Sequence, residues 1–190
     1  MTFDRICKII DEALDAAEMT KQVNIAIDGM CGGGKSTLGQ ALAEKYDCNL
    51  FHMDDFFLRP EQRTPKRYAE AGGNVDYERF REEILEHLAD KDGFTYCPFD
   101  CKTMKLGEPR TVNCRRLNII EGSYSCHPYF GDVYQVRFFV DLPPEEQRAR
   151  IFARNGEEKY RRFIDEWIPM ENRYFEVYGI RDKCICLEQG

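Results

Sequence analysis

The run Gly29-Met30-Cys31-Gly32-Gly33-Gly34-Lys35-Ser36-Thr37 satisfies the spacing G-x-x-x-x-G-K-[ST]. Each residue type has a chemical reason to stand where it does. Gly29, Gly32, Gly33 and Gly34 let backbone N–H groups turn inward and approach phosphate oxygens with no Cβ in the way. Lys35 can reach the β- and γ-phosphates of a nucleotide, and the Ser36 hydroxyl can ligate the Mg2+ that bridges them. Ser36 and Thr37 open a helical pattern whose positive end points at the same anion. Residues 29–37 therefore predict a site for ATP with Mg2+. A flexible Gly-rich turn has the same composition, but this run follows a strand pattern and opens a helical one, as the mechanism requires.

Two further acidic positions have the right placing. Asp54 and Asp55, in His52-Met53-Asp54-Asp55-Phe56-Phe57, directly follow a second apolar run. Ligands of open α/β sheets bind beyond the carboxyl ends of the strands, so one of these carboxylates lies near the glycine-rich loop. There it can orient an acceptor hydroxyl and take its proton as the γ-phosphate is attacked. The other reading is an acidic turn or helix cap. Leu117-Asn118-Ile119-Ile120-Glu121-Gly122 is an apolar strand ending in an acid, which can hold Mg2+ directly or through water. A strand end facing solvent has the same pattern.

These groups need a frame. Phe3, Ile6, Ile9, Ile10, Leu14 and Ala17 recur at helical spacing and predict an opening amphipathic helix. Val23, Ile25 and Ile27 alternate as a strand ending at Asp28. Residues 36–46 read as a helix, and Cys48 to Met53 as a strand. Asp76 can cap a helix running to about Ala89. Residues 94–112, with Pro98, Gly107 and Pro109, read as an irregular hairpin. Residues 117–120 and 136–140 are further strands, and Pro143 and Pro144 mark a helix start. Tyr160 to Tyr178 looks helical with an interruption at Pro169, and Ile185 and Leu187 close the sheet. Strands alternating with helices predict an α/β layer fold with a mainly parallel sheet.

Taken together, these pieces resemble the uridine kinase-like branch of P-loop kinases, which includes uridine–cytidine kinases and relatives acting on other small hydroxyl compounds. The likeness rests on residues 29–37, on residues 52–57, on Asn74-Val75-Asp76-Tyr77-Glu78-Arg79-Phe80, on residues 119–125, and on Arg150-Ile151-Phe152-Ala153-Arg154-Asn155-Gly156. It implies a three-layer P-loop NTPase fold with a helical lid at about residues 148–160, in a single domain spanning 1–190. By the same resemblance, Asp54 matches the catalytic aspartate, Ser36 and Glu121 the magnesium-associated residues, and Asp76 a carboxylate that holds sugar hydroxyls. Phe99 stands where that branch sets an aromatic against the base, although a core aromatic fits the pattern equally. Arg148, Arg150 and Arg154 fall in the lid, where guanidinium groups neutralise charge on the transferring phosphoryl group. Arg154 is the preferred one, because Asn155 and Gly156 make a natural hinge beside it. The acceptor implied is nucleoside-like. The chain departs from uridine–cytidine kinases in having no histidine within residues 99–104 and a sparser set of lid arginines.

The stretch from Arg59 through Arg63 and Lys66 to Arg67 is locally basic. It can grip an anionic acceptor, such as a nucleoside monophosphate, or serve as a solvated loop. Bulk composition narrows the field. A net charge of -7 argues against a nucleic-acid partner. No apolar run approaches the roughly 20 residues of a membrane span. The first 20 residues are too polar for a signal peptide, so the expected address is the cytoplasm. Nine cysteines with three histidines lack zinc-site spacing and read as reduced thiols. The guanine-reading N-K-x-D segment of a GTPase is absent. The readings that stand are a small-molecule kinase, a nucleoside monophosphate kinase, and a regulatory nucleotide-binding module.

Overall fold

Apolar residues two apart build the centre of the molecule, because successive side chains of a strand point to opposite faces. The computed structural model describes residues 1–188. In chain order its elements are α1 (Phe3–Ala16), β1 (Val23–Gly29), α2 (Lys35–Lys45), β2 (Cys48–His52), α3 (Pro65–Tyr68), α4 (Tyr77–Phe80), β3 (Phe94–Tyr96), β4 (Phe99–Asp100), β5 (Lys105–Leu106), β6 (Arg110–Val112), β7 (Leu117–Glu121), β8 (Val136–Asp141), α5 (Pro144–Arg162), α6 (Ile168–Tyr178) and β9 (Ile185–Glu188). Five strands pair in parallel in the order β2-β7-β1-β8-β9. The chain leaves β1 toward one side for β2 and β7, then crosses to the other for β8 and β9. That reversal opens a crevice beyond the carboxyl ends of the strands around β1.

Alternation divides the core into two layers. Val23, Ile25 and Ile27 of β1, with Leu117, Ile119, Phe138 and Val140, pack against Ile6 and Ile10 of α1 and Leu42 of α2. Ala26, Phe51, Ile120 and Phe139 face the other way, onto Phe80, Ile84, Tyr96 and Tyr174. The sheet is thus covered on both faces, which makes three layers. β3 with β6, and β4 with β5, form the outer and inner ladders of the irregular hairpin. The hairpin is fixed by aromatic contacts, with Tyr96 stacked 5.6 Å from Phe56 and Phe94 stacked 6.4 Å from Phe51.

Two helices differ from expectation. The helix that Asp76 caps is α only to Phe80, then widens into a π turn over Arg81–Leu85. Phe80, Ile84 and Leu88 nevertheless stay on one buried face. Pro169 does not interrupt its helix. It stands at the start of α6 directly after a π turn, and the backbone stays helical through Trp167 and Ile168. The irregularities are a π turn over Phe163–Trp167, in the turn immediately before Pro169, and Gly156, which stands inside α5 with φ 70° and ψ 175°. Among the described residues no helix is long and apolar enough to cross a membrane.

Candidate active site

The glycine-rich loop emerges from β1 with no room to spare. Gly29 has φ +127°, and a Cβ there would stand 2.3 Å from the Val140 carbonyl oxygen of the neighbouring strand. Met30 N–H donates to that same carbonyl at 3.1 Å. Gly34 adopts φ 87° as the N-cap of α2, and the first intrahelical bond runs from Leu38 N–H to Gly34 C=O. The N–H groups of Lys35, Ser36 and Thr37 therefore have no intrahelical acceptor and face the loop. Gly32 packs on Ile151 of α5, and Gly33 N–H closes the turn onto Met30 C=O at 3.1 Å. Lys35 is buried, and its ammonium donates to Gly29 C=O at 2.7 Å, Met30 C=O at 2.9 Å and Ser123 Oγ at 3.2 Å. Orphaned helix amides, a loop with three consecutive glycines and a fixed cation suit a polyphosphate.

Asp28, the residue before the loop, is fully buried. Its Oδ1 accepts from Gly29 N–H at 2.7 Å and Tyr124 N–H at 3.1 Å, and its Oδ2 accepts from Cys126 N–H at 2.9 Å and the Tyr174 hydroxyl at 2.8 Å. Burial pushes its carboxyl up to about 6, against these hydrogen bonds. Asp28 thus ties the start of the cradle to the loop after β7.

A 3-10 turn over Met53–Phe56 separates the two neighbouring aspartates. Asp55 turns to the hairpin, where Oδ2 meets an Arg110 guanidinium N–H at 2.6 Å and the Tyr96 hydroxyl at 3.1 Å. Asp54 turns to the cradle. Its surface is open to solvent, yet protein crowds it on the remaining sides. That desolvation raises its carboxyl first, and repulsion from Glu121 and Glu171 adds to it, while Lys35 and His52 pull it down. Glu121 is buried at the end of β7 against Gly39 of α2, and its Oε1 lies 2.5 Å from His52 Nδ1. This hydrogen bond raises the His52 pKa. Among the described residues no three His, Cys, Asp or Glu side chains form a ready-made metal cluster. Mg2+ at phosphate sites takes few protein donors and completes its shell with phosphate and water. Ser36, exposed on the first turn of α2, and Glu121 fit that donor chemistry.

On the acceptor side, Asp76 is 1% exposed. Its Oδ1 caps α4 by accepting from Arg79 N–H at 3.2 Å. Its Oδ2 has no hydrogen-bond partner and lies 3.5 Å from Arg59 Nε and 3.6 Å from Arg79 Nε. Phe99 is buried in β4, with the Arg63 guanidinium 5.8 Å from its ring centroid. Arg67 is committed internally. It donates to Gly73 C=O, Val75 C=O, the Tyr77 hydroxyl and both oxygens of Glu78, and lies 3.8 Å over the Tyr77 ring. Arg154 is exposed on α5, one turn beyond Ile151, and its guanidinium lies 5.8 Å from the Phe163 ring. Arg150 pairs with Glu146. His127 is buried between Tyr77 and Tyr174.

Sequence reasoning passed over three side chains that hold the cradle. Glu171 Oε2 accepts from Cys31 N–H at 3.0 Å, and its Oε1 accepts from the Ser123 hydroxyl at 2.8 Å. Gln147 Nε2 donates to Cys31 C=O at 3.1 Å. All three come from far along the chain; Ser123 lies within the 119–125 stretch already singled out, while no local pattern marks Gln147 or Glu171. Asp28 did carry a signal, as an acid inside an apolar strand.

Comparisons with known proteins place the fold. Residues 31–95 match the family model described as shikimate kinase. Over 70 residues the chain is 37% identical to a bifunctional shikimate kinase/3-dehydroquinate synthase of Thermotoga maritima, a match covering 37% of this chain. The chain spans only 14% of that relative's length. A solved structure described as "a Possible Uridine Kinase" from Bacillus stearothermophilus superposes with a TM-score of 0.71 at 20% identity, covering 98% of this chain and 97% of that one. D-glycerate 3-kinase from Cryptococcus neoformans superposes with a TM-score of 0.62 at 12% identity, covering 88% and 86%. The chain shares its three-layer α/β fold with these solved structures.

Proposed function

We propose that this chain is an ATP-dependent phosphotransferase that delivers the γ-phosphate to a hydroxyl of a small molecule. The observation that carries the reading is the convergence of Lys35, Asp54 and Glu121 on one glycine-rich cradle, from α2, the end of β2 and the end of β7. Bound ATP with Mg2+ supplies the phosphoryl group, with Ser36 and Glu121 as the residues that would hold the ion. Lys35 stabilises charge on the phosphoryl oxygens. Asp54 accepts the proton of the acceptor hydroxyl as that oxygen attacks. Asp76 Oδ2, which has no hydrogen-bond partner and lies between the Arg59 and Arg79 guanidinium groups, accepts a second O–H of the acceptor and orients it. Phe99 and Arg59 line the acceptor side, and Arg154, exposed on α5 two residues before the break at Gly156, is the arginine that would neutralise charge on the phosphoryl group.

For the acceptor, the likeness to the uridine kinase-like structure over nearly the whole chain supports a nucleoside. A hydroxy acid such as shikimate is the second reading, supported by the match of residues 31–95. A nucleoside monophosphate is less well supported, because Arg67 is already paired with Glu78. The test is ADP release against a panel of uridine, cytidine, shikimate, D-glycerate and uridine monophosphate. Turnover should be slow with ATP and Mg2+ alone and accelerate with one acceptor class. ATP binding without acceleration by any alcohol would favour a regulatory nucleotide-binding module.

A further inference from the structure

We propose that Glu171 is a phosphate surrogate in the cradle: a positioning residue that competes with a nucleotide's terminal phosphates for Lys35 and the Cys31 N–H, and so couples the α5–α6 arm to nucleotide binding. A lysine ammonium has three donors. Two go to the Gly29 and Met30 carbonyls, at 2.7 and 2.9 Å, and the third to Ser123 Oγ, the longest at 3.2 Å. Ser123 in turn donates to Glu171 Oε1 at 2.8 Å. Glu171 is 6% exposed, and its other oxygen takes the Cys31 N–H at 3.0 Å. A buried carboxylate thus engages a loop amide directly and the loop lysine through one hydroxyl. Those are the groups that a phosphate anion would use. Two anions cannot share them without repulsion, so phosphate entry displaces the carboxylate.

The arm follows because both of its roots hold the same residue. Glu171 on α6 takes the Cys31 N–H, and Gln147 on α5 donates to the Cys31 carbonyl. Between them lie the break at Gly156 and the π turn over Phe163–Trp167, where a helix bends at low cost. Release of Glu171 removes one tie between the arm and the loop, while Gln147 on α5 and Tyr174 on α6, whose hydroxyl donates to Asp28, keep the two roots in place.

The inference rests on the cradle binding a nucleotide, and not on phosphoryl transfer. Glu171→Gln keeps the shape and removes the charge: its amide oxygen can keep the Cys31 N–H, and Ser123 can turn its hydrogen to Gly29 C=O, 3.1 Å away. Calorimetric titration without acceptor should show ATP bound about 5-fold tighter or more in this variant, with AMP affinity unchanged because AMP lacks the competing phosphates. In turnover, KM for ATP should fall without a rise in kcat. In the native chain, tryptic cleavage within residues 148–162 should be faster with ATP bound than with AMP, because only the terminal phosphates displace Glu171. Unchanged or weaker ATP binding by a folded Glu171→Gln protein overturns the proposal, as does equal tightening of AMP. Should that variant fail to fold, Ser123→Ala removes the relay and must shift ATP affinity the same way. A native chain that binds no ATP overturns both this inference and the kinase reading. Tightened ATP binding with no acceptor turned over supports this inference while sinking the other.

Discussion

At the scale of single residues, neighbours in sequence have different tasks because the backbone turns between them. A 3-10 turn advances about 120° per residue, which sends Asp54 to the cradle and Asp55 to Arg110 and Tyr96. Asp54→Asn should leave ATP affinity within a few-fold of native and lower kcat by about 10²–10⁴. Asp55→Asn should leave kcat within a few-fold and cost about 1 kcal/mol or less of stability, since its partner Arg110 is half exposed. Steady-state kinetics with parallel thermal melts separates the two. Lys35→Ala should lower kcat by about 10³, read from initial rates at saturating ATP. Arg67→Ala should leave the acceptor KM unchanged and cost about 2–4 kcal/mol in denaturant titration, because it leaves half-buried Glu78 and two carbonyls without their donor. The cradle was legible because its chemistry is local, nine consecutive residues with fixed spacing. Which of Asp54 and Asp55 faces the cradle was not, because a turn type sets their directions. The role of Arg67 was hidden for the same reason, since its partners Val75 and Glu78 meet it only after the chain doubles back.

At the scale of elements, alternation made the strands readable, and the alternation also divides β1 between the two core layers. Helix boundaries were readable from caps, as at Asp76, and from prolines, as at Pro143 and Pro144. The π turns were not. Inserting one residue per turn leaves the residues at i and i+4 on nearly the same face, so the apolar spacing of Phe80, Ile84 and Leu88 hides it. The junction of β1 with the loop is the least forgiving point. Gly29→Ala would drive a methyl into the Val140 backbone and hold an L-residue at φ +127°. It should cost about 3 kcal/mol or more, read as a fall in the urea midpoint, and abolish ATP binding with it.

At the scale of the whole molecule, two buried groups oppose each other in acid. Burial pushes Asp28 up to about 6 from an ordinary 3.8, so its contribution favours the fold below pH 4 and is lost as pH rises toward 6. Burial pushes His127 down to about 4 from 6.5, so the neutral ring favours the fold at neutral pH and its contribution is lost as pH falls from about 6.5 to 4. Each amounts to about 3 kcal/mol, with opposite slopes across the same range. His127→Phe keeps the stack on Tyr77 and removes one slope. The melting temperature of this variant, relative to native, should climb as pH drops from 6.5 to 4; a constant difference would mean that His127 does not titrate in that window.

The parallel sheet also dictates when the protein can acquire its site. β1 lies at its centre, and its Asn24 side chain is bonded to Asn118, 94 residues on, while its backbone N–H reaches Gln135, 111 residues on. Val140 supplies the carbonyl that fixes the Met30 amide. Synthesis therefore delivers the glycines and the lysine early, yet they stay shapeless until β7 and β8 have left the ribosome and closed long loops around them. A nascent chain of about 115 residues would carry the whole motif and grip no phosphate.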